Sequence, residues 1–516
     1  MTTIESFQQG KSSGPNSIPD KILQLIKFEI AEPLSQIANI SFETGIFIDK
    51  LKLAKVIPIY KNKESELNCE NYRPIALLSN LNKIIEKLMY KRLYDFLDKY
   101  KCFYNRQFGF RSQHSTTHAL ISMTEDIRNA LDNNLNITGV FLDFQKAFDV
   151  VDHSILLDKM NFYGIRGVAN NWFKSYLSNR NQYVAINGVN SNVTHVPYGV
   201  PQGSILGPLL FLIFINDLHN SIKHSTVTHF ADDTNLIIRN KSPLTLSKHL
   251  NKDLSLLSKW LKSNKISLNA KKTELMIFES KWRKNNFEYK IKIDGKKLIP
   301  SSYIKYLGLY IDKHLDWSFH SDIISSKLSR AVGMLAKLRH YVDNDQLRSV
   351  YFAIFSSLMT YGSIIWGQTQ NSAVRRIENI QNKALRVINS APFNSPTTNL
   401  YKNSKILKFY DHIKLQNFLF VHDDLHKNIP IALQNSFKLL SDNHNYSTRG
   451  SNLSQIMLPK IKKVTHGKYS IKFQAACYWN QTVAKYPSDN LKSKSRNFCK
   501  TFLRNSLLMS YDENIT

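Results

Sequence analysis

Three carboxylates stand where this chain could use them for chemistry. Asp143 closes the apolar run 137–142, and Asp232 and Asp233 follow the β-rich run 226–230, 89 positions later. Adjacent acids at a hairpin tip repel each other unless a cation compensates them. Converging carboxylates that hold two divalent ions roughly 3.5–4 Å apart serve in-line phosphoryl displacement. Mg²⁺ suits such a place because it accepts a few carboxylates together with substrate phosphates and waters. A bare Asp-Asp pair is also ordinary composition for a solvated turn. Spacing and flanking runs leave these two readings level.

The rest of the composition narrows the partners. Lys plus Arg number 69 against 40 Asp plus Glu, a net charge of +29. An excess of that size favours a polyanion, either nucleic acid or an anionic membrane surface. Residues 241–300 carry 15 basic against 5 acidic residues, and 441–516 carry twelve against four, so much of the excess follows the carboxylates. The longest apolar run, 205–215, is interrupted by Gly207 and Pro208 and falls short of the ~20 residues a membrane span needs. The N-terminus has no basic start followed by an apolar core, so no secretory signal is expected. Four scattered cysteines, with no C-x-x-C pair, support neither a disulfide framework nor a zinc knuckle. A reducing, intracellular location is expected.

The elements that must position the carboxylates follow from periodicity. At 516 residues the chain exceeds what one core accommodates, so several packed subdomains are expected. Apolar residues at helical spacing predict helices over 22–30, 34–42 and 84–97, with a β-branched strand over 54–60 and a basic turn Lys61-Asn62-Lys63. The middle block is mixed: strands over 137–143, 226–230 and 236–238, and an amphipathic helix over 244–261. Helical periodicity returns over 323–341 and 347–365.

Several strings resemble one family when taken in order. Phe141-Leu142-Asp143 through Ala147-Phe148-Asp149, then Gly199-Val200-Pro201-Gln202-Gly203-Ser204, then Phe230-Ala231-Asp232-Asp233 look like the motif set of reverse transcriptases, and of the non-LTR (LINE-type) retrotransposon branch in particular. Upstream, Ser13-Gly14-Pro15-Asn16, Asn71-Tyr72-Arg73-Pro74-Ile75 and Gln107-Phe108-Gly109-Phe110-Arg111 are similar to its fingers region. Downstream, Asn269-Ala270-Lys271-Lys272-Thr273 and Tyr306-Leu307-Gly308 resemble the later palm motif and the primer grip.

The resemblance implies an α+β right-hand polymerase. Its parts would be an N-terminal extension and fingers over 1–136, a palm with an antiparallel sheet over 137–312, a helical thumb over 313–400, and a basic, mostly helical C-terminal region over 401–516. It implies an RNA-directed DNA polymerase that extends a DNA primer on an RNA template. Asp143, Asp232 and Asp233, with the backbone carbonyl of Phe144, would hold two Mg²⁺ ions, with Mn²⁺ as a substitute. Lys61 and Arg73 would meet the incoming deoxynucleoside triphosphate, Phe148 would clash with a ribose 2′-hydroxyl, and Gln202 would line the nucleotide pocket. Lys272, beside Lys271, is the candidate proton donor to pyrophosphate.

Expected partners are template RNA, primer or target DNA, and deoxynucleotides, with a separate endonuclease or an element-encoded RNA-binding protein beside them and no membrane. A ribonucleoprotein in nucleus and cytoplasm is the expected setting. The chain reads as the polymerase part of a longer element protein or a truncated copy. Two alternatives stay open, a silent or domesticated nucleic-acid-binding copy and a group II intron-type maturase. Tyr446-Ser447-Thr448-Arg449-Gly450 and Tyr478-Trp479-Asn480 resemble the tail of many such elements, where aromatic and basic residues could clamp single strands; a helical domain with a solvated basic face fits equally. Asp149 and Asp152 are expected to cap or pair locally. Gly10-Lys11-Ser12 lacks the first glycine of a P-loop, and His114 and His118 lack a zinc-protease glutamate.

Overall fold

In the computed structural model, the structure describes residues 1–7, 14–15, 18–62, 65–282, 287–368, 371–442, 450 and 453–511. Gly10, Lys11, Ser12, Ser13, Asn16, Lys63 and 446–449 of the motifs above lie outside these residues. The strands that matter here are β1 (Leu53–Tyr60), β2 (Tyr72–Leu77), β3 (Asn136–Leu142), β4 (Arg180–Ile186), β5 (Thr226–Phe230), β6 (Asp233–Asn240), β7 (Glu274–Phe278), β8 (Tyr303–Tyr306) and β9 (Leu309–Asp312). Helices and sheets are mixed along the chain, an α+β composition. Two compact units form, each discontinuous in sequence: one from Met1–Phe110, Leu142–Lys223 and Asp253–Thr273, the other from Arg111–Phe141, His224–Lys252 and Glu274–Thr516.

The first unit carries a sheet ordered β2-β1-β4, with β1 antiparallel to β2 and parallel to β4. The sequence reading placed β1 but not β2, because Pro74 interrupts the second run. The sheet accommodates it on an edge strand, where Pro74 lies opposite Pro58 and β1 no longer pairs with β4. After β2, the helix Asn80–Lys99 starts at Ser79, whose hydroxyl accepts the Asn82 N–H. Its buried stripe, Ile85, Met89, Leu93 and Leu97, has helical period. The helix Leu206–Ile215 is apolar on every side and buried along nearly its whole length. A helix without a polar face is stable only inside a core.

The second unit holds a sheet ordered β5-β6-β3-β7. Every residue of β3 is buried, as a strand flanked on both sides demands. Gly139 has a packing reason, since a Cβ there would lie 2.9 Å from Ile237 Cδ1 and 3.2 Å from Phe278 Cε2. The periodicity over 347–365 predicts one helix, yet the chain forms the helix Asn344–Val350, a wide π turn over Tyr351–Ser356, and two short turns of helix separated at Gly362, whose φ is 62°. The predicted 84–97, 244–261 and 323–341 helices appear as Asn80–Lys99, Pro243–Ser263 and Ser318–Leu338.

Candidate active site

In the first unit the residues around Asp143 are zipped to a later segment. Asn269 N–H donates to the Asp143 carbonyl at 2.8 Å, Phe144 bridges Leu268, and Gln145 N–H donates to Ser267 O at 2.9 Å. Asn269 then opens a turn: its carbonyl accepts Lys272 N–H at 3.1 Å and Thr273 N–H at 2.9 Å, and Lys271 and Lys272 are both exposed on it. The candidate proton donor is therefore tied to the backbone of the first candidate metal ligand by two consecutive hydrogen bonds. Asp143 itself is half-buried, while the Phe144 ring is buried, leaving that residue only its main chain to offer.

The candidate nucleotide-binding residues share this unit. Phe148 is half-buried, stacked on Phe211 of the apolar helix at 4.5 Å and turned edge-on to Phe110 at 6.4 Å. Core packing thus positions the ring without enclosing it. Gln202 is held at both ends, its Nε2 donating to Asp149 Oδ1 at 2.9 Å and its carbonyl accepting Ala76 N–H of β2 at 2.7 Å. The loop on either side is equally tied: Val200 N–H donates to Phe148 O, Gly199 N–H to Val151 O, and His153 Nε2 lies 2.8 Å from Gly199 O.

Two glycines are required here. At φ 85° Gly199 would put a Cβ 2.6 Å from Asp149 O, and at φ 130° Gly203 would put one 2.3 Å from Ala76 O. Burial raises the Asp149 carboxyl above the usual range, against the opposing pull of Gln202 and Lys146. Asp152 caps the helix His153–Phe162 and pairs with Lys265 at 2.6 Å, so both of these acids act locally. Lys61 and Arg73 lie exposed on the β1–β2 hairpin. Lys61 Nζ donates to Glu70 O at 2.7 Å, and Arg73 faces Ile59 in the register.

Sequence reasoning missed Glu86. This carboxylate is fully buried and accepts from Asn82 Nδ2 at 2.9 Å, Tyr176 Oη at 2.7 Å and Ile205 N–H at 2.7 Å. It fastens the start of the apolar helix, just after the Gln202 loop, to two other helices. The signal was present: Glu86 falls among Ile85, Met89 and Leu93 on the buried stripe of its helix, where a lone acid needs hydrogen-bond donors.

In the second unit β5 and β6 form a hairpin whose last pair is Phe230 with Asp233, so Ala231 and Asp232 make the turn. Ala231 takes φ 56°, a conformation that costs a residue with a Cβ about 1 kcal/mol or more. Asp232 is half-buried and Asp233 exposed. Below them, His229 Nδ1 lies 2.8 Å from Thr234 Oγ1 across the hairpin, both residues fully buried. Tyr306, at the end of β8, is buried edge-on to Phe141 of β3 at 5.2 Å. Burial, and then the negative charge of Asp233, push its phenol far above the usual range. The β8–β9 turn is pinned by Tyr361 Oη, which donates to Leu307 O at 2.7 Å.

Hard carboxylate oxygens at a hairpin tip are the donor chemistry that Mg²⁺ selects. Among the described residues no group of three or more His, Cys, Asp or Glu side chains is assembled as a metal cage. The fit to a divalent ion therefore rests on the kind and setting of the donors.

Residues 59–311 match the reverse transcriptase (RNA-dependent DNA polymerase) family. That stretch contains β2 with Arg73, the Gln202 loop and the Asp232-Asp233 hairpin, so the candidate site residues fall inside the part of the chain that is similar to this family. Beyond that stretch the chain is similar to polymerases of non-LTR retrotransposons. It is 29% identical over 426 residues to the RNA-directed DNA polymerase from mobile element jockey of Drosophila melanogaster, covering 79% of this chain and 45% of that protein. It is 30% identical over 419 residues to the probable RNA-directed DNA polymerase from transposon BS of the same organism, covering 78% and 45%. The chain thus spans less than half the length of these curated relatives. Among solved structures, telomerase from Candida albicans with a fragment of telomeric RNA aligns over 72% of this chain and 63% of its own, at 10% identity and a TM-score of 0.36.

Proposed function

We propose that the chain is the RNA-directed DNA polymerase of a non-LTR retrotransposon, adding deoxynucleotides to a DNA primer on an RNA template. The observation that carries this reading is the match of residues 59–311 to the reverse transcriptase family, with Asp232-Asp233 at the tip of a tight hairpin. In this reading β1–β2 and the surrounding helices are fingers, the β5-β6-β3-β7 sheet is the palm, and the helices from Ser318 onward begin a thumb.

Asp143, Asp232, Asp233 and the Phe144 carbonyl are the proposed ligands of two Mg²⁺ ions, which when bound lower the pKa of the primer 3′-hydroxyl and neutralise the triphosphate. Arg73 offers a planar fork to the phosphates and Lys61 a point charge. The 3′-oxygen, its proton released to water, bonds to the α-phosphorus as the bond to the bridging oxygen of pyrophosphate breaks. Lys272 supplies a proton to that leaving oxygen. The Phe148 ring, seated on Phe211, excludes a 2′-hydroxyl, and Gln202, held by Asp149, lines the pocket floor.

Primer extension on poly(rA)/oligo(dT) with Mg²⁺ tests the reading directly. Incorporation of deoxythymidylate by the wild-type chain, abolished in Asp232→Asn, is the expected result. Salt-dependent RNA binding with no extension by the wild-type chain would instead mark a silent, nucleic-acid-binding copy.

A further inference from the structure

One cavity is lined by none of the candidate site residues. It measures about 430 Å³ and is lined by Arg348, Lys405, Lys500, Thr501, Arg504 and Asn505, among others, with no Asp or Glu in its wall. Lys500 and Arg504, and likewise Thr501 and Asn505, lie one turn apart on one face of the helix Arg496–Met509. Arg348 comes from the helix Asn344–Val350, and Lys405 from the turn after the helix Thr398–Asn403.

Its two guanidiniums are held in place. Arg348 Nε donates to Ser404 O at 2.9 Å and Arg504 Nη2 donates to Lys405 O at 2.7 Å. Consecutive carbonyls thus orient two forks, each with five N–H donors in all, toward a common space. The positive charge in the wall is felt by its neighbours. His412 is held down to about 4, first by burial and then by Lys500 and Arg504.

We propose that this cavity binds the phosphodiester backbone of single-stranded RNA. Four cations with amide and hydroxyl donors between them match phosphate oxygens, and oriented guanidiniums bind phosphate bidentately. A single strand is favoured over a duplex because the wall is concave and an aromatic platform lies on the same helix: Phe498 is 43% exposed and stacks on Phe502 at 5.8 Å. The inference deepens the polymerase reading by giving the C-terminal region a defined contact with the template.

The test uses the full chain and a double variant, Lys500→Gln/Arg504→Gln, with Lys427→Gln/Lys438→Gln as an equally charged control on exposed lysines outside the cavity. Fluorescence anisotropy with a labelled single-stranded oligoribonucleotide is followed across a salt titration, and thermal melting checks that each variant folds. Loss of two phosphate contacts should weaken binding about tenfold or more and reduce the slope of log K against log salt by about 1.4. Arg504→Lys, which keeps charge without the fork, should fall between.

An unchanged affinity and slope, an equal loss in the control, or a loss seen only with duplex DNA would each overturn the proposal. So would inorganic tripolyphosphate that displaces the oligoribonucleotide from the wild-type chain at equal or lower phosphate concentration, since that marks a free polyphosphate site. A wild-type chain that binds RNA through this cavity but extends no primer would refute the polymerase reading alone.

Discussion

Phe148 and Gln202 are each placed by contacts that have nothing to do with a nucleotide: a stacked ring beneath the first and a half-buried carboxylate beside the second. Rigid placement of this kind lets a small change of side chain alter selectivity without loss of fold. Phe148→Ala should admit ribonucleotides, lowering discrimination against them by about 10- to 100-fold in kcat/KM; a variant as selective as wild type would remove the gate role. Asp143→Asn and Asp232→Asn should each cut Mg²⁺-dependent extension by at least about 10²-fold while RNA affinity stays within about twofold. Asp149→Ala frees the Gln202 amide, so KM for the deoxynucleotide should rise more than kcat falls.

Elements, in turn, hold these residues through a few buried polar joints. Glu86 accepts three hydrogen bonds that fasten the start of the apolar helix, and its removal leaves Tyr176 Oη and the Ile205 N–H without it. Glu86→Ala should destabilise the chain by about 3–5 kcal/mol, read by urea unfolding, because buried donors lose their partner. Gly203→Ala drives a methyl group into Ala76 O, so it should displace the Gln202 loop and raise the deoxynucleotide KM. The helix Asn80–Lys99, β1, β3 and the hairpin strands were legible in periodicity and β-branching. β2 and the broken stretch after Val350 were not. The first carries a proline that only an edge position tolerates, and the second breaks at Gly362 and at a π turn that periodicity cannot register.

At the scale of the molecule, the second compact unit joins segments hundreds of residues apart through buried acids. Glu125 accepts the Ile471 N–H at 2.7 Å, and Asp132 accepts those of Lys462 and Lys463 at 3.0 and 2.7 Å. The basic C-terminal stretch is therefore anchored on the helix Thr116–Asp132, a part of the chain that sequence order assigns elsewhere. The same unit buries His320 and His466 and half-buries His118 and His412, each held down to about 4 chiefly by loss of solvent. Between about 6.5 and 4 the unfolded chain binds protons that the folded unit refuses. Stability is therefore full above pH 6.5 and lost as pH falls toward 4. Tm measured across this window should fall steadily with acid; a flat profile would mean that these imidazoles are not sequestered.

The sequence by itself determined the basic excess and, through residue types and period, the strands beneath Asp143 and Asp232-Asp233, while the roles expected of those carboxylates and of Gln202 came from the resemblance of ordered strings. Tertiary structure alone decided the joints. Nothing local marks Glu86 as the acceptor for Ile205, Glu125 as the cap of a helix that starts near residue 471, or Arg348 and Arg504 as two sides of one cavity. Periodicity reports what each segment must bury, whereas the partner of a buried polar group is set by which distant segment arrives beside it.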